Sequence, residues 1–156
     1  MPLTSRPLFL LSLLSMWLFG PGLAAPAWAD AAQDEAAVRR VLDEQVAAWN
    51  RKDLEGYMAG YWKSPDLMFF SGGTRTRGWQ PTLERYRMRY QGEGKEMGTL
   101  SFAELSVESL GPATALARGE WCLVLSGGKR VRGLFTVIFR RLPEGWRIVH
   151  DHSSGE

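Results

Sequence analysis

Three ionisable side chains stand in a row near the end of the chain: His150, Asp151 and His152. They are the two histidines of the whole sequence with an aspartate between them. Histidine titrates near neutral pH and a carboxylate accepts protons, so the trio has the chemistry of an acid/base site. Its catalytic candidates are His150, Asp151 and His152. A metal centre would need a third and a fourth ligand, which the spacing does not supply, so no metal is expected. Hydrogen bonding within a sheet, or pairing of Asp151 with an arginine across strands, is the competing structural role. A second set is Arg118 and Glu120, two residues apart on one face of an apolar stretch, where they can pair with each other. A third is aromatic: Tyr57, Trp62, Phe70, Trp79 and Tyr86. Together these can line a pocket for a small apolar or aromatic molecule, or simply fill a core.

The elements that carry these groups follow from periodicity. The stretch Gly145 to Ser154 reads as a strand that begins apolar and ends polar. Strict alternation would put Trp146, Ile148, His150 and His152 on one face and Arg147, Val149, Asp151 and Ser153 on the other. Upstream, Val38, Val41, Leu42, Val46 and Trp49 recur at helical spacing, which predicts a helix over 31–51. Asp53 is placed to cap a second helix from Leu54 to Trp62. Leu67 to Phe70 is a short strand, Gly72-Gly73 a turn, and Thr74 to Gly78 a second short strand. Pro81 suits the first turn of a third helix that runs to Tyr90. The glycine-rich loop 91–98 leads to four longer strands. In the first of them Leu100 and Phe102 alternate in one phase and Leu105 and Val107 in the other, which predicts a β-bulge near Ala103-Glu104. Turns at Gly111-Pro112, Gly127-Gly128 and Pro143-Gly145 imply hairpins and an antiparallel sheet. The fold class is therefore α+β: three N-terminal helices packed on a strongly curved antiparallel sheet.

The first 29 residues are not part of that domain. Arg6 precedes an apolar run of 12 residues, Leu8 to Phe19, and Ala27-Trp28-Ala29 has the pattern of a cleavage site. The run is too short to span a bilayer, which takes roughly 20 residues. A leader cleaved after Ala29 predicts a periplasmic or secreted protein, with Asp30 to Glu156 as a single domain and no membrane contact after cleavage. Without Arg6 that domain carries 18 basic and 17 acidic residues. Such a balance offers no basic stripe for a nucleic acid, so none is expected as partner. Cys122 is the only cysteine; it has no disulfide partner in the chain and should be buried and inert.

Some of these segments resemble a known family. Val46 to Tyr57 (VAAWNRKDLEGY) is similar to the opening of the nuclear-transport-factor-2-like (NTF2-like) superfamily, with its apolar helix, Trp-Asn…Asp corner and short second helix. Arg77-Gly78-Trp79 leading into Leu83 to Tyr86 resembles the third helix of the SnoaL-like branch. Trp146 to Ser154 is similar to the last strand of the association (hub) domain of calcium/calmodulin-dependent kinase II. The resemblance covers Gln33 to Ser154. It implies a cone-shaped fold, an internal cavity that takes a small-molecule ligand, and a homodimer through the sheet. It also implies that Arg118 faces the cavity and binds a carboxylate. The family's chemistry does not transfer whole. Met68 to Ser71 lacks the carboxylate base of the ketosteroid isomerase branch. Arg118 and Asp151 supply only two members of the Asp-Arg-Asp relay of the epoxide hydrolases. Fold alone does not decide function. Three readings stand: an exported binding module for a small carboxylate or aromatic metabolite, without cofactor, holding it through Tyr57, Trp62, Phe70, Trp79, Tyr86, Arg118 and Glu120; an isomerase, cyclase or hydrolase using a C-terminal His or Asp; and a protein–protein adaptor. A pocket carboxyl or histidine with a strongly shifted pKa favours the enzyme.

Overall fold

The last strand of the chain lies in the middle of the sheet, and everything else is arranged about it. The computed structural model describes the backbone of residues 27–155 and the side chains from 31 on. Three helices, α1 (Ala27–Asn50), α2 (Leu54–Met58) and α3 (Trp79–Tyr90), accompany six strands: β1 (Met68–Ser71), β2 (Thr74–Arg77), β3 (Thr99–Ser109), β4 (Thr114–Val124), β5 (Arg130–Leu142) and β6 (Gly145–Ser153). The sheet order is β2-β1-β6-β5-β4-β3. The helices cover one face of this curved, unclosed sheet, as expected of the α+β class. Apart from the helical residues 27–29, the predicted leader lies outside the described residues.

Local chemistry explains the helix boundaries. Val38, Val41, Leu42, Gln45, Ala48 and Trp49 are buried along one stripe of α1. Its end is docked on β3: Asn50 donates from Nδ2 to the Leu100 carbonyl at 3.0 Å and accepts from the Leu100 amide at 2.7 Å. Asp53 caps α2 by accepting from the Gly56 amide at 2.7 Å. That bond first, and Arg51 second, hold its carboxyl below the usual range. Trp79 ties α3 to α2 by donating from its indole to the Met58 carbonyl at 2.9 Å.

Two expectations about connectivity are corrected. The sheet is not wholly antiparallel: β1 runs parallel to β6, with Phe69 beside Asp151. The β1–β2 hairpin is inserted between two helices and adds to the free edge of β6, and β6 forms its own hairpin with β5 on the other side. The second helix stops at Met58, not Trp62, because the backbone beyond it joins the sheet. Trp62 donates its amide to the Ile148 carbonyl and Ile148 donates to the Gly60 carbonyl, each at 2.9 Å. Tyr61 and Ile148 form a parallel bridge.

The bulge expected in β3 is present. Register shifts between Ala103 and Ser106, and Glu104 has a φ of 49°. A second bulge was not foreseen. Phe139 pairs with Ile148 but Ile138 pairs with His150, which leaves Val149 unpaired. One extra residue reverses the alternation beyond it. Trp146 and Ile148 point to the helices, and after the bulge Asp151 is the residue that does so. His150 and His152 pass to the other face.

Candidate functional site

Between the helices and the sheet lies a cavity of about 210 Å³. Val38, Met58, Leu67, Leu83 and Phe139 fill the dry core beside it and are fully buried. Aromatic rings form a large part of the cavity wall. Trp49 meets Tyr57 and Tyr90 edge-on at 5.0 and 4.9 Å, Phe69 meets Tyr86 at 5.3 Å, and Phe102 meets Phe135 at 5.0 Å.

Asp151 is set into this wall. It is 4% exposed and is the one carboxylate among the described residues that is buried. Tyr61 donates its hydroxyl to Oδ2 at 2.6 Å and Ser153 donates to Oδ1 at 2.7 Å. Burial pushes the carboxyl up to about 6, against the opposing pull of the Tyr61 and Ser153 hydrogen bonds and of His152. Three phenols extend the network: Tyr57 lies 3.4 Å from Tyr61 and 3.5 Å from Tyr86, oxygen to oxygen. A phenol has one proton to give. Since Tyr61 gives its proton to Asp151, the proton between Tyr57 and Tyr61 must come from Tyr57. Burial raises the Tyr61 and Tyr86 hydroxyls well above their ordinary value, and the nearby Asp151 raises them further. These phenols stay neutral donors across the physiological range.

Two cations complete the lining. Arg85 donates to the Ser71 carbonyl at 2.9 Å and to the Thr76 hydroxyl at 3.2 Å, with its guanidinium 5.7 Å from the Phe69 ring centre. Arg89, four residues on and so on the same helix face, lies 5.5 Å from the Tyr90 ring. Neither is within ion-pair distance of a carboxylate among the described residues. Among those residues no three His, Cys, Asp or Glu side chains are grouped as a metal centre requires.

The sequence-predicted residues divide sharply. Tyr57, Tyr86 and Asp151 line the cavity. His150 and His152 do not; they flank Phe70 on the opposite sheet face, 5.0 and 6.1 Å ring to ring. Burial first, then the neighbouring His152, lowers the His150 pKa. Phe70 is therefore also outside, and its neighbour Phe69 takes the place expected of it, because the parallel register puts Phe69 beside Asp151. Trp62 and Trp79 lie outside the wall; Trp79 is spent on its bond to α2 and carries Lys63 above its ring at 5.1 Å. Arg118 faces neither the cavity nor Glu120. It pairs with Glu108 of β3 at 2.8 Å, both about half exposed. On β4 the inward residues are Ala115, Ala117, Trp121 and Leu123, which places Arg118, Glu120 and the half-buried Cys122 outside.

Sequence reasoning missed Tyr61, Phe69, Arg85, Arg89 and Trp121 as lining residues. Tyr61 had a visible signal, four residues beyond Tyr57. The arginines had one too, since α3 presents them at positions i and i+4. Phe69 against Phe70 had none, because the choice depends on which strand β1 joins.

The family model of the SnoaL-like domain matches residues 38–155. Among solved structures, an NTF2-like protein of unknown function from Shewanella oneidensis MR-1 is 34% identical, with 76% of this chain and 97% of that one covered at a TM-score of 0.69. An NTF2-like superfamily protein from Salmonella enterica serovar Typhimurium shares the fold at 22% identity, over 80% of this chain and 92% of its own, with a TM-score of 0.68. An NTF2-like protein with a cystatin-like fold from Novosphingobium aromaticivorans does so at 18%, over 82% and 85%, with a TM-score of 0.66. No curated protein matches significantly.

Proposed function

The chain belongs to the SnoaL-like domain family, and from that premise we propose that it is a small-molecule enzyme whose cavity binds a largely apolar, ring-sized ligand and moves a proton on it, with Asp151 as base. The observation that carries the reading is Asp151 itself: a carboxyl buried in an aromatic cavity and raised to about 6. A base that titrates near the working pH combines a usable deprotonated fraction with driving force for proton transfer. The proton leaves one ligand atom for the Asp151 carboxylate, the electron pair stays on the ligand, and the proton returns to a second atom. This is an isomerisation and needs no co-reactant. Tyr61 follows the charge: its hydroxyl stabilises the carboxylate before transfer, and Tyr57 and Tyr86 stand behind it as further neutral donors.

The reading is tested by α-hydrogen exchange of phenylacetone in heavy water, followed by proton NMR with the purified chain. Exchange faster than buffer, rising through about pH 6 and lost in Asp151→Asn, supports it. Exchange equal in wild type and Asp151→Asn removes the base. A binding module without chemistry then takes its place, and one observation already speaks for that alternative: both Asp151 oxygens accept an internal hydrogen bond.

Two further parts of the reading rest on other grounds. Export to the periplasm or beyond, after cleavage behind Ala29, is supported by the charged and apolar pattern of residues 1–29. Homodimerisation is supported by the sheet face that carries no helices, where Leu134 is 61% exposed on the face that also carries Phe70, His150 and Ile138.

A further inference from the structure

We infer that the ligand is a single-ring acid, whose carboxylate is held by Arg85 and Arg89 while its ring extends along the aromatic wall toward Asp151. This rests on the reading of the cavity as a small-molecule site and adds the class of molecule. Size sets the first limit. A dry cavity of roughly 150 Å³ accepts a benzene ring, so one of about 210 Å³ holds a ring with a few further atoms.

Charge sets the second. The lining holds two guanidinium groups and one carboxyl that burial drives toward its neutral form. Neither arginine is neutralised by a carboxylate among the described residues. Arg85 is already fixed in position by its bonds to Ser71 and Thr76, which use two of its five N–H donors. A guanidinium held in place with donors to spare is organised for a planar anion before the anion arrives. Arg89 stands one helical turn away beside the Tyr90 ring and is more exposed than Arg85. The aromatic rings beneath the two cations offer a flat ligand a stacking surface continuous with the guanidinium planes. A neutral ligand would leave both cations at the lining without any part in recognition. An acid without a ring would leave the aromatic wall unfilled.

Calorimetric titration of the purified chain with benzoate, benzamide and acetate separates these terms, and Arg89→Gln serves as the variant because Arg89 holds no structural hydrogen bond to another element. Benzoate is expected to bind at least tenfold tighter than benzamide, and acetate not measurably. Arg89→Gln should weaken benzoate about tenfold and leave benzamide unchanged, and Arg89→Lys should recover part of the loss. Equal binding of benzoate and benzamide, or indifference of benzoate to Arg89→Gln, overturns the acid assignment and leaves the small-molecule site standing. Failure of both ring compounds to bind overturns the site and the assignment together.

Discussion

At the scale of the residue, Asp151 dominates. Its folded pKa of about 6 lies above the 3.8 of a free aspartate. Between those values the native state keeps a proton that the unfolded chain has released, so stability falls as pH rises through that window. The cost is absent below the lower value and complete above the upper one, where it amounts to about 3 kcal/mol. Asp151→Asn, which cannot ionise, should therefore gain on wild type by about that amount between pH 4 and pH 8. Urea denaturation at the two pH values measures this, and a difference that does not change with pH would refute it. Tyr61→Phe removes a hydrogen bond that favours the carboxylate, so the Asp151 pKa should rise above about 6, read by carboxyl carbon NMR. Arg118→Ala should change stability by no more than about 0.5 kcal/mol, because its pair with Glu108 is solvent-exposed on both sides.

At the scale of the element, the bulge at Val149 decides which chemistry reaches the cavity. Without it, strict alternation would turn His150 and His152 inward with Ile148 and expel Asp151. With it, the carboxylate is inside and both imidazoles are outside. Deleting Val149, the unpaired residue, should make Ile148 and His150 consecutive in a regular ladder, keep Asp151 on the inward face and so preserve the carboxyl that titrates near 6. Carboxyl NMR reads this; loss of the titration would show that the inward place of Asp151 does not follow from strand alternation. The crossing of β3 and β4 imposes a matching constraint at Gly119. A Cβ there would lie 2.9 Å from the Ala103 carbonyl and 3.0 Å from the Phe135 ring. The sheet bends at the β3 bulge because backbone and ring can approach this closely.

At the scale of the whole molecule, the two faces of the sheet have separate tasks. The helix-covered face holds the dry core and the cavity. The other face carries Arg118 paired with Glu108, the two histidines around Phe70, and the exposed Leu134. If that second face joins two copies, Leu134→Glu should shift sedimentation from dimer to monomer and leave the Asp151 titration unchanged. A wild type that sediments as a monomer at micromolar concentration would instead remove the dimer. All the cavity-lining residues named above belong to one chain.

Periodicity alone determined most of the fold: the stripe of α1, the Asp53 cap, the α3 start, the β3 bulge and the four long strands all follow from local rules of spacing and backbone freedom. Tyr57 and Tyr86 were legible as aromatics at converging helical positions. What the sequence could not decide is which side of a strand a residue faces once a bulge intervenes, since Val149 reads like any other β-branched residue of a strand. Nor could it decide which strands become neighbours. That required β1 to lie parallel to β6, and Tyr61 to leave its helix and bridge to Ile148. Both depend on contacts between segments some 80 to 90 residues apart. Asp151 becomes a buried carboxyl only through those contacts, because they withdraw it from water and set the Tyr61 hydroxyl against it.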